Sequence, residues 1–165
     1  MIFTVVGSRQ YPFDRLLKKL DELYADGSLR EPMFAQTGKS AYCPRNYGWK
    51  GYLSQEEFGE MIRQADLIIS HAASGTVMQA LRERKKVIVV PRLERYGEHV
   101  NDHQVQAARA YHENGYALAV CDLDTLAGAV ASLLDGEVTL RPWINDDPLS
   151  IVKRIDRFIQ ETWKG

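Results

Sequence analysis

Short apolar runs alternate with amphipathic helical patterns along the first 135 residues of this chain. Each run is short enough to be a buried strand. The runs lie at residues 2–6, 33–36, 67–70, 87–90 and 117–121, with a weaker one at 47–51. The helical patterns lie near residues 16–24, 54–62, 74–84, 103–113 and 124–134. Strands joined through helices run parallel, with right-handed crossovers. The alternation therefore predicts an α/β fold with a Rossmann-like, doubly wound, mainly parallel sheet.

Residues 136–165 depart from this alternation. A glycine, two prolines and an acidic cluster precede residue 149, which is typical of a connector. One more helix is predicted after it, because apolar residues form a single stripe at helical spacing. The stripe consists of Ile151, Val152, Ile155, Phe158, Ile159 and Trp163. Packing on the chain's own sheet is the favoured interpretation of this stripe, and docking on a partner chain is the alternative. We therefore expect a domain at 1–135, followed by a connector and an amphipathic C-terminal helix at 136–165.

Composition excludes several broad classes of function. The chain has 165 residues, of which 45% are hydrophobic, and this fits one globular domain. Its 21 basic and 22 acidic residues give a net charge of -1, so no overall field attracts nucleic acid. Cys43 and Cys121 form no CxxC pair, which indicates a reducing compartment. No run approaches the ~20 apolar residues that span a bilayer. We expect a cytoplasmic protein that meets a membrane only from outside.

The stretch from residue 65 to residue 91 holds the clearest candidate site. A buried strand runs into His71, small residues follow, and a helix begins near Ser74. Ligands of such sheets bind beyond the carboxyl ends of the strands. A helix N-terminus favours phosphate oxygens through its unpaired N–H groups and its dipole, which Ser74, Gly75 and Thr76 would provide. The alternative is purely structural, with Ser74 as a helix N-cap and His71 as a polar strand end.

The other glycine-containing loops lack the known nucleotide-binding signatures. Gly7 and Ser8 follow the first strand, but no further glycines complete a GxGxxG motif. The QTGKS stretch at 36–40 resembles the end of a P-loop, yet it lacks the earlier glycine and a following helix. Neither a dinucleotide-binding motif nor a P-loop is supported. Gly38 keeps one predicted role, which is to let this loop approach a ligand.

Residues 91–104 bring charged, amide and imidazole side chains to the loop after a strand and the entry of a helix. Such groups suit the recognition of sugar hydroxyls. A solvated loop with Asn101 or Asp102 as the helix N-cap explains them equally well. His99 and His103 are spaced HxxxH, but an HExxH motif and a third ligand are missing, so we predict no metal site.

Four separate motifs, taken together, resemble one family. They are the opening MIFTVVGSRQYPFDRL, the QTG at 36–38, the HAASGT at 71–76 and the VPR…GEHVNDHQ stretch at 90–104. In this order and spacing they resemble the Alg-type and PssE-type glycosyltransferases, single-domain relatives of the C-terminal domain of family 28 enzymes. The resemblance implies the donor-binding half of a split GT-B enzyme that uses a UDP-sugar and inverts the transferred sugar. It also implies a membrane-associated partner subunit that binds a lipid-linked saccharide acceptor at the inner face of the cytoplasmic membrane.

The same resemblance assigns roles to residues of this chain. It places the donor diphosphate at His71, Ser74, Gly75 and Thr76, and the donor sugar at Asn101, Asp102, His103 and Gln104. The ribose and uracil fall to Gln79, Tyr52 and Leu53, and the first cleft loop to Gly7 and Ser8. The family's usual HxG reads HAA here, and Ala73 in place of the glycine narrows the diphosphate turn. No cofactor or metal is implied, and the UDP-sugar is the substrate.

The catalytic base is harder to place, because it must reach an acceptor that this chain alone does not hold. Glu98 and His71 are the candidates, followed by His99 and Asp14. Two other functions stay open. One is a Rossmann-like nucleotide N-glycoside hydrolase, in which Gln79 stands where a catalytic glutamate is needed. The other is a non-catalytic nucleotide-sugar-binding regulatory subunit. An exopolysaccharide or capsule pathway is the expected setting of the transferase.

Overall fold

The computed structural model of the protein describes residues 1–7, 10–144 and 150–163, with the backbone alone for Ser150, Ile151, Thr162 and Trp163. These residues form one six-stranded sheet in the order β3-β2-β1-β4-β5-β6, and every pair of neighbours is parallel. The strands are Ile2–Val5 (β1), Met33–Gln36 (β2), Gly48–Lys50 (β3), Leu67–Ser70 (β4), Lys86–Val89 (β5) and Leu118–Ala119 (β6). The predicted fold class is thereby confirmed.

Helices cover both faces of the sheet. They are Asp14–Ala25 (α1), Gln55–Gln64 (α2), Ser74–Arg82 (α3), His103–Glu113 (α4), Leu126–Leu134 (α5) and Ser150–Trp163 (α6). Side chains of α1 and α5 form one core cluster, and those of α2, α3, α4 and α6 form the other. Successive residues of a strand point to opposite faces, so Phe3 enters one cluster and Ile2 the other. Because both faces of the central strands are buried, these strands are continuous apolar runs in the sequence.

A capping box opens α2. The Glu57 N–H donates to the Ser54 hydroxyl at 3.1 Å, and the Ser54 N–H donates to the Glu57 carboxylate at 2.7 Å. These two bonds satisfy N–H groups that have no partner within the helix. They fix the point at which the chain leaves β3 and turns into α2, beside the cleft described below.

Part of the expected connector is packed against the domain. The Trp143 side chain is buried in the core cluster of α3 and α4, and the Arg141 N–H donates to the Gly115 carbonyl at 2.7 Å. The rest of the acidic stretch, residues 145–149, lies outside the described residues. The boundary at residue 135 therefore stays a prediction, although the side chain of Trp143 already belongs to the core.

The last helix, α6, packs on α4 of the same domain. Ile155 is buried there, while Val152, Phe158 and Ile159 are partly buried against the core. The side chains of Ile151 and Trp163 lie outside the described residues. The first of the two interpretations of the apolar stripe, packing on the chain's own fold, is the arrangement seen. Among the described residues, no helix combines the length and the apolar character needed to cross a membrane.

Candidate functional site

A cleft of about 790 Å³ opens at the carboxyl ends of the strands. It lies beside β1 and β4, where the order of the strands reverses, and ligands of open α/β sheets bind at such points. The structure brings most of the residues predicted from the sequence together here. Those that line the cleft are Gly7, Tyr52, Leu53, His71, Ser74, Gly75, Thr76, Gln79, His103 and Gln104. Ser8 lies outside the described residues.

The first turn of α3 presents unpaired N–H groups to this cleft. The N-cap is Ala73, whose side chain cannot cap, and the first bond into the helix runs from the Val77 N–H to the Ala73 carbonyl at 3.4 Å. The N–H groups of Ser74, Gly75 and Thr76 have no acceptor among the described residues. The interpretation of Ser74 as the N-cap is therefore wrong. Three N–H groups at the positive end of a helix form a site for an anion.

The resemblance to the glycosyltransferase family implies a glycine at position 73, but the backbone conformation of Ala73 does not require glycine. Its φ of -85° and ψ of 133° are open to any residue. Its N–H donates to the His71 carbonyl at 2.8 Å and closes the turn before the helix. A ligand at this turn therefore meets the N–H groups that follow Ala73 rather than that of Ala73 itself.

His71 and Gly7 meet at the floor of the cleft. His71 is buried, and its Nδ1 lies 3.3 Å from the Val5 carbonyl oxygen. A carbonyl oxygen only accepts, so the hydrogen bond requires the proton on Nδ1. Gly7 has a φ of 91°, and a Cβ there would lie 3.0 Å from Cε1 and Nε2 of His71. Glycine at position 7 lets the first loop pass directly over the imidazole ring.

Arg92 also lines the cleft, although the sequence interpretation did not single it out. Its guanidinium is buried, and Nη2 donates to the carbonyl oxygens of Val6 and Tyr11. Its own backbone N–H donates to Oε1 of Gln104 at 3.0 Å. Burial lowers the pKa of Arg92 to about 10, which leaves the side chain charged at neutral pH. The cleft thus contains a permanent positive charge.

Of the four residues predicted to bind the donor sugar, only two line the cleft. His103 and Gln104 line the cleft, whereas Asn101 and Asp102 do not. The Asn101 side chain accepts from the His103 N–H at 3.0 Å, and Asp102 accepts from the Glu94 N–H at 2.9 Å. Asp102 is the N-cap of α4 by position, but its side chain makes no cap bond. In this arrangement Asn101 and Asp102 order the loop.

Glu98, one of the two candidates for the catalytic base, is committed elsewhere. Its carboxylate accepts from Nε and Nη2 of Arg15 at 2.8 and 3.0 Å, and from the Leu93 N–H at 2.9 Å. The side chain is 5% exposed and does not line the cleft. A carboxylate paired in this way ties the β5–α4 loop to α1 and cannot reach an acceptor. We therefore withdraw Glu98 as the catalytic base.

The opposite wall of the cleft contains Tyr52, Leu53 and Gln79. The Leu53 N–H donates to the side-chain oxygen of Gln36 at 3.0 Å, so this N–H is already engaged within the protein. Gly38 lies behind the cleft rather than in it. A Cβ on Gly38 would come within 2.4 Å of the Gly7 carbonyl oxygen, and its φ is 55°. Gly38 supports the first loop and does not approach a ligand.

The metal interpretation gains no support from the described part of the chain. No group of three or more His, Cys, Asp or Glu side chains there could hold a metal ion. His99 and His103 both line the cleft, and the His99 ring packs against Tyr11 in a tilted arrangement with a centroid distance of 5.2 Å. The Nδ1 atom of His99 is buried without a hydrogen-bond partner among these residues. The two histidines therefore contribute to the polar wall of the cleft.

The chain matches the sequence profile of one protein family. A sequence profile described as the glycosyltransferase family 28 C-terminal domain matches residues 1–142. The chain belongs to this family. The match extends beyond the predicted boundary at residue 135 and stops one residue before the buried Trp143.

Curated relatives of this family 28 domain share one name. The chain is 27% identical over 142 residues to the UDP-N-acetylglucosamine transferase subunit ALG13 of Homo sapiens, which covers 80% of this chain and 12% of the relative. It is 38% identical over 68 residues to the protein of that name from Eremothecium gossypii, which covers 41% of this chain and 32% of the relative. The matches therefore span less than a third of either relative's length.

Solved structures show the same fold. The glycosyltransferase of kitacinnamycin superposes with a TM-score of 0.61 at 20% identity, covering 97% of this chain and 38% of that chain. The glycosyltransferase SnogD from Streptomyces nogalater gives a TM-score of 0.57 at 20% identity, covering 98% and 38%. In both, the superposed part is little more than a third of a larger protein. The family 28 domain is therefore an architectural match to a portion of these enzymes.

Proposed function

We propose that this chain is the donor-binding half of an inverting glycosyltransferase that takes a sugar from a UDP-sugar. One observation carries the proposal above the others. The N-terminus of α3 opens with three unpaired N–H groups into a 790 Å³ cleft of a family 28 domain, at the switch point of its sheet. A donor diphosphate at this turn leaves room in the cleft for uridine toward Tyr52 and Leu53, and for the sugar toward His103 and Gln104.

The proposed chemistry is a single displacement at the anomeric carbon. The acceptor hydroxyl attacks from the face opposite the diphosphate, its oxygen forms the new glycosidic bond, and the bond from carbon to diphosphate oxygen breaks. The electron pair of that bond leaves on UDP, and the acceptor proton passes to a base. The N–H groups of Ser74, Gly75 and Thr76 stabilise the charge that grows on the leaving diphosphate. The acceptor side of the reaction requires groups beyond these.

The base, or its positioning, is proposed to depend on a partner subunit. Among the described residues, Asp156 of α6 is the only carboxylate that lines the cleft, and it is exposed. His71 lies at the floor, beneath the loop of Gly7, and is better placed to face the donor than the acceptor. The relatives are named as subunits of a transferase, which supports a split enzyme. We propose a membrane-associated partner that binds a lipid-linked saccharide acceptor.

The proposal extends to the donor sugar and to the cellular setting. The relatives' name makes UDP-N-acetylglucosamine the first donor to assay. We propose that the chain works at the inner face of the cytoplasmic membrane, held there by its partner, in the synthesis of an exopolysaccharide or capsule. We also propose that donor binding needs no metal, because the helix N-terminus and Arg92 supply positive charge. EDTA is then expected to leave the affinity for UDP unchanged.

The test is transfer of radiolabelled sugar from UDP-sugars to a lipid extract, with the chain alone and with a co-expressed membrane-associated partner candidate. A split transferase transfers sugar only when both chains are present. Binding of the UDP-sugar without transfer in either case would instead identify a regulatory subunit. Release of free base from nucleoside monophosphates would favour the N-glycoside hydrolase, although Gln79 supplies no acid or base for it.

A further inference from the structure

Arg92 is a buried cation with no ion-pair partner among the described residues. It is 2% exposed. Its Nε–H is buried without an acceptor in the same part of the chain, and Nη2 bonds only to backbone carbonyls. A charge removed from water is stable when an opposite charge compensates it. The guanidinium therefore has unused binding capacity at the floor of the cleft.

Glu98 does not supply that counter-charge. Both oxygens of its carboxylate are engaged by Arg15, at 2.8 and 3.0 Å. Burial lowers the pKa of Arg92, and the charge of Glu98 opposes this only in part. Two guanidinium groups and one carboxylate leave one net positive charge at this place. Because Arg92 lines the cleft, this positive charge can act on an anion bound there.

The guanidinium and the diphosphate turn approach the same region from two sides. A Cβ on Gly7 would lie 3.4 Å from Nη2 of Arg92 and 3.0 Å from Nε2 of His71, so the two groups flank this glycine. His71 leads directly into the turn that ends at the N-terminus of α3. A single phosphate can occupy the helix N-terminus. The helix N-terminus and Arg92 both line the cleft, so an anion longer than one phosphate has two positively charged places to bind.

We propose that Arg92 is the residue by which this cleft selects a nucleoside diphosphate over a monophosphate, through contact of its guanidinium with the second phosphate. This rests on the proposed function, because it takes the donor to be a UDP-sugar held at α3. The proposal gives a specific role to Arg92, which lies outside the diphosphate turn. The same contact neutralises charge on UDP as it leaves, so Arg92 favours bond cleavage as well as binding.

The experiment measures dissociation constants of UDP, UMP and uridine for the full chain by calorimetry. The variants are R92Q, which removes the charge but keeps a donor for the carbonyls, and R92K, which keeps the charge. R95Q is the matched control, since Arg95 is an exposed cation of the same loop that does not line the cleft. Thermal unfolding without ligand establishes that each variant is folded.

The wild type is expected to bind UDP at least about tenfold tighter than UMP. R92Q loses most of this preference through weaker UDP binding, with uridine unchanged; R92K retains part of it, and R95Q retains all of it. Equal losses for UDP, UMP and uridine in R92Q would make Arg92 a structural anchor and overturn the proposal. So would a wild-type preference below about threefold, a measurement that needs no variant. If the wild type binds none of the three, the donor site itself fails, which is a separate outcome.

Discussion

Two glycines line the cleft, and the fold requires only one of them to be glycine. Gly7 has a positive φ and lies against the His71 ring, so the protein itself excludes a side chain there. Gly75 is helical, and a Cβ added to it would meet nothing within 4 Å. The fold therefore does not require glycine at position 75. The open space beside it belongs to the cleft, where the proposed diphosphate site needs an accessible helix backbone.

Gly75→Ala is expected to leave the fold intact and to weaken UDP binding. Alanine in a helix is more favourable than glycine by about 0.5–1 kcal/mol, so the free energy of unfolding is unchanged or higher. Gly128→Ala is the matched control, since Gly128 lies in α5, far from the cleft lining, and its Cβ also meets nothing within 4 Å. Calorimetry with UDP should show weaker binding in the first variant alone. Equal affinities in both variants would remove Gly75 from the diphosphate site.

Glu98→Gln distinguishes a structural carboxylate from a catalytic one. Removing one partner of a buried ion pair leaves Arg15 uncompensated and typically costs about 3 kcal/mol. Glu60→Gln is the control, because its pair with Arg63 is half exposed and is worth less than about 1 kcal/mol. Urea unfolding measures both. A variant at position 98 that keeps full stability but loses transfer in the presence of the partner would restore Glu98 as the base.

At the scale of elements, two loops are held in place by a few buried polar and charged side chains. The β5–α4 loop is clamped to α1 by Glu98 and Arg15, and to the first loop by the bonds of Arg92 to Val6 and Tyr11. The loop of residues 41–46 is held in the same way by Asp21 of α1. Its carboxylate accepts from the Tyr42 hydroxyl at 2.6 Å and from the Asn46 N–H at 2.8 Å.

Asp21→Asn should lower stability at neutral pH by about 2 kcal/mol, the usual size for hydrogen bonds to a charged group. Burial raises the pKa of Asp21, but the hydrogen bonds from Tyr42, Arg45 and Asn46 lower it more, so its pKa lies below the ordinary value. The carboxylate therefore stabilises the fold above its unfolded pKa of about 3.9. That contribution is lost as the pH falls through the lower folded pKa.

Urea unfolding of wild type and D21N at pH 7 and at about pH 3 measures this dependence. The stability difference between the two proteins should be full at pH 7 and smaller in acid, because the variant has no carboxyl group to titrate at this position. A difference that stays constant or grows in acid would show that the charge of Asp21 is not what holds the loop.

At the scale of the whole molecule, the elements follow from local signals. The strand at 67–70 lies where predicted, and the helical pattern near 54–62 becomes α2 with its capping box of Ser54 and Glu57; both are encoded within a few neighbouring residues. The N-terminus of α3 was also found from its small residues and its position after a strand. Such features depend on spacing and turn chemistry that a single sequence displays.

The remaining parts of the site depend on contacts between distant segments. Glu98 and Arg15 are 83 residues apart, and Arg92 and Val6 are 86 apart. No local pattern marks such a pair, so the sequence indicates neither the ion pair of Glu98 nor the burial of Arg92. The glycine at position 38 was misassigned for the same reason, since the atom it avoids belongs to Gly7. Burial decides these roles, and burial is a property of the assembled sheet and loops.

The most direct measurement of the central claim is thermal unfolding of the isolated chain with UDP, and with AMP, GDP and NAD as controls. A ligand at about 100 times its dissociation constant stabilises a protein by roughly 2.7 kcal/mol, which for a domain of this size raises the midpoint by about 5–10 °C. The account predicts this rise with UDP and not with the controls. Stabilisation by AMP with no effect of UDP would contradict it.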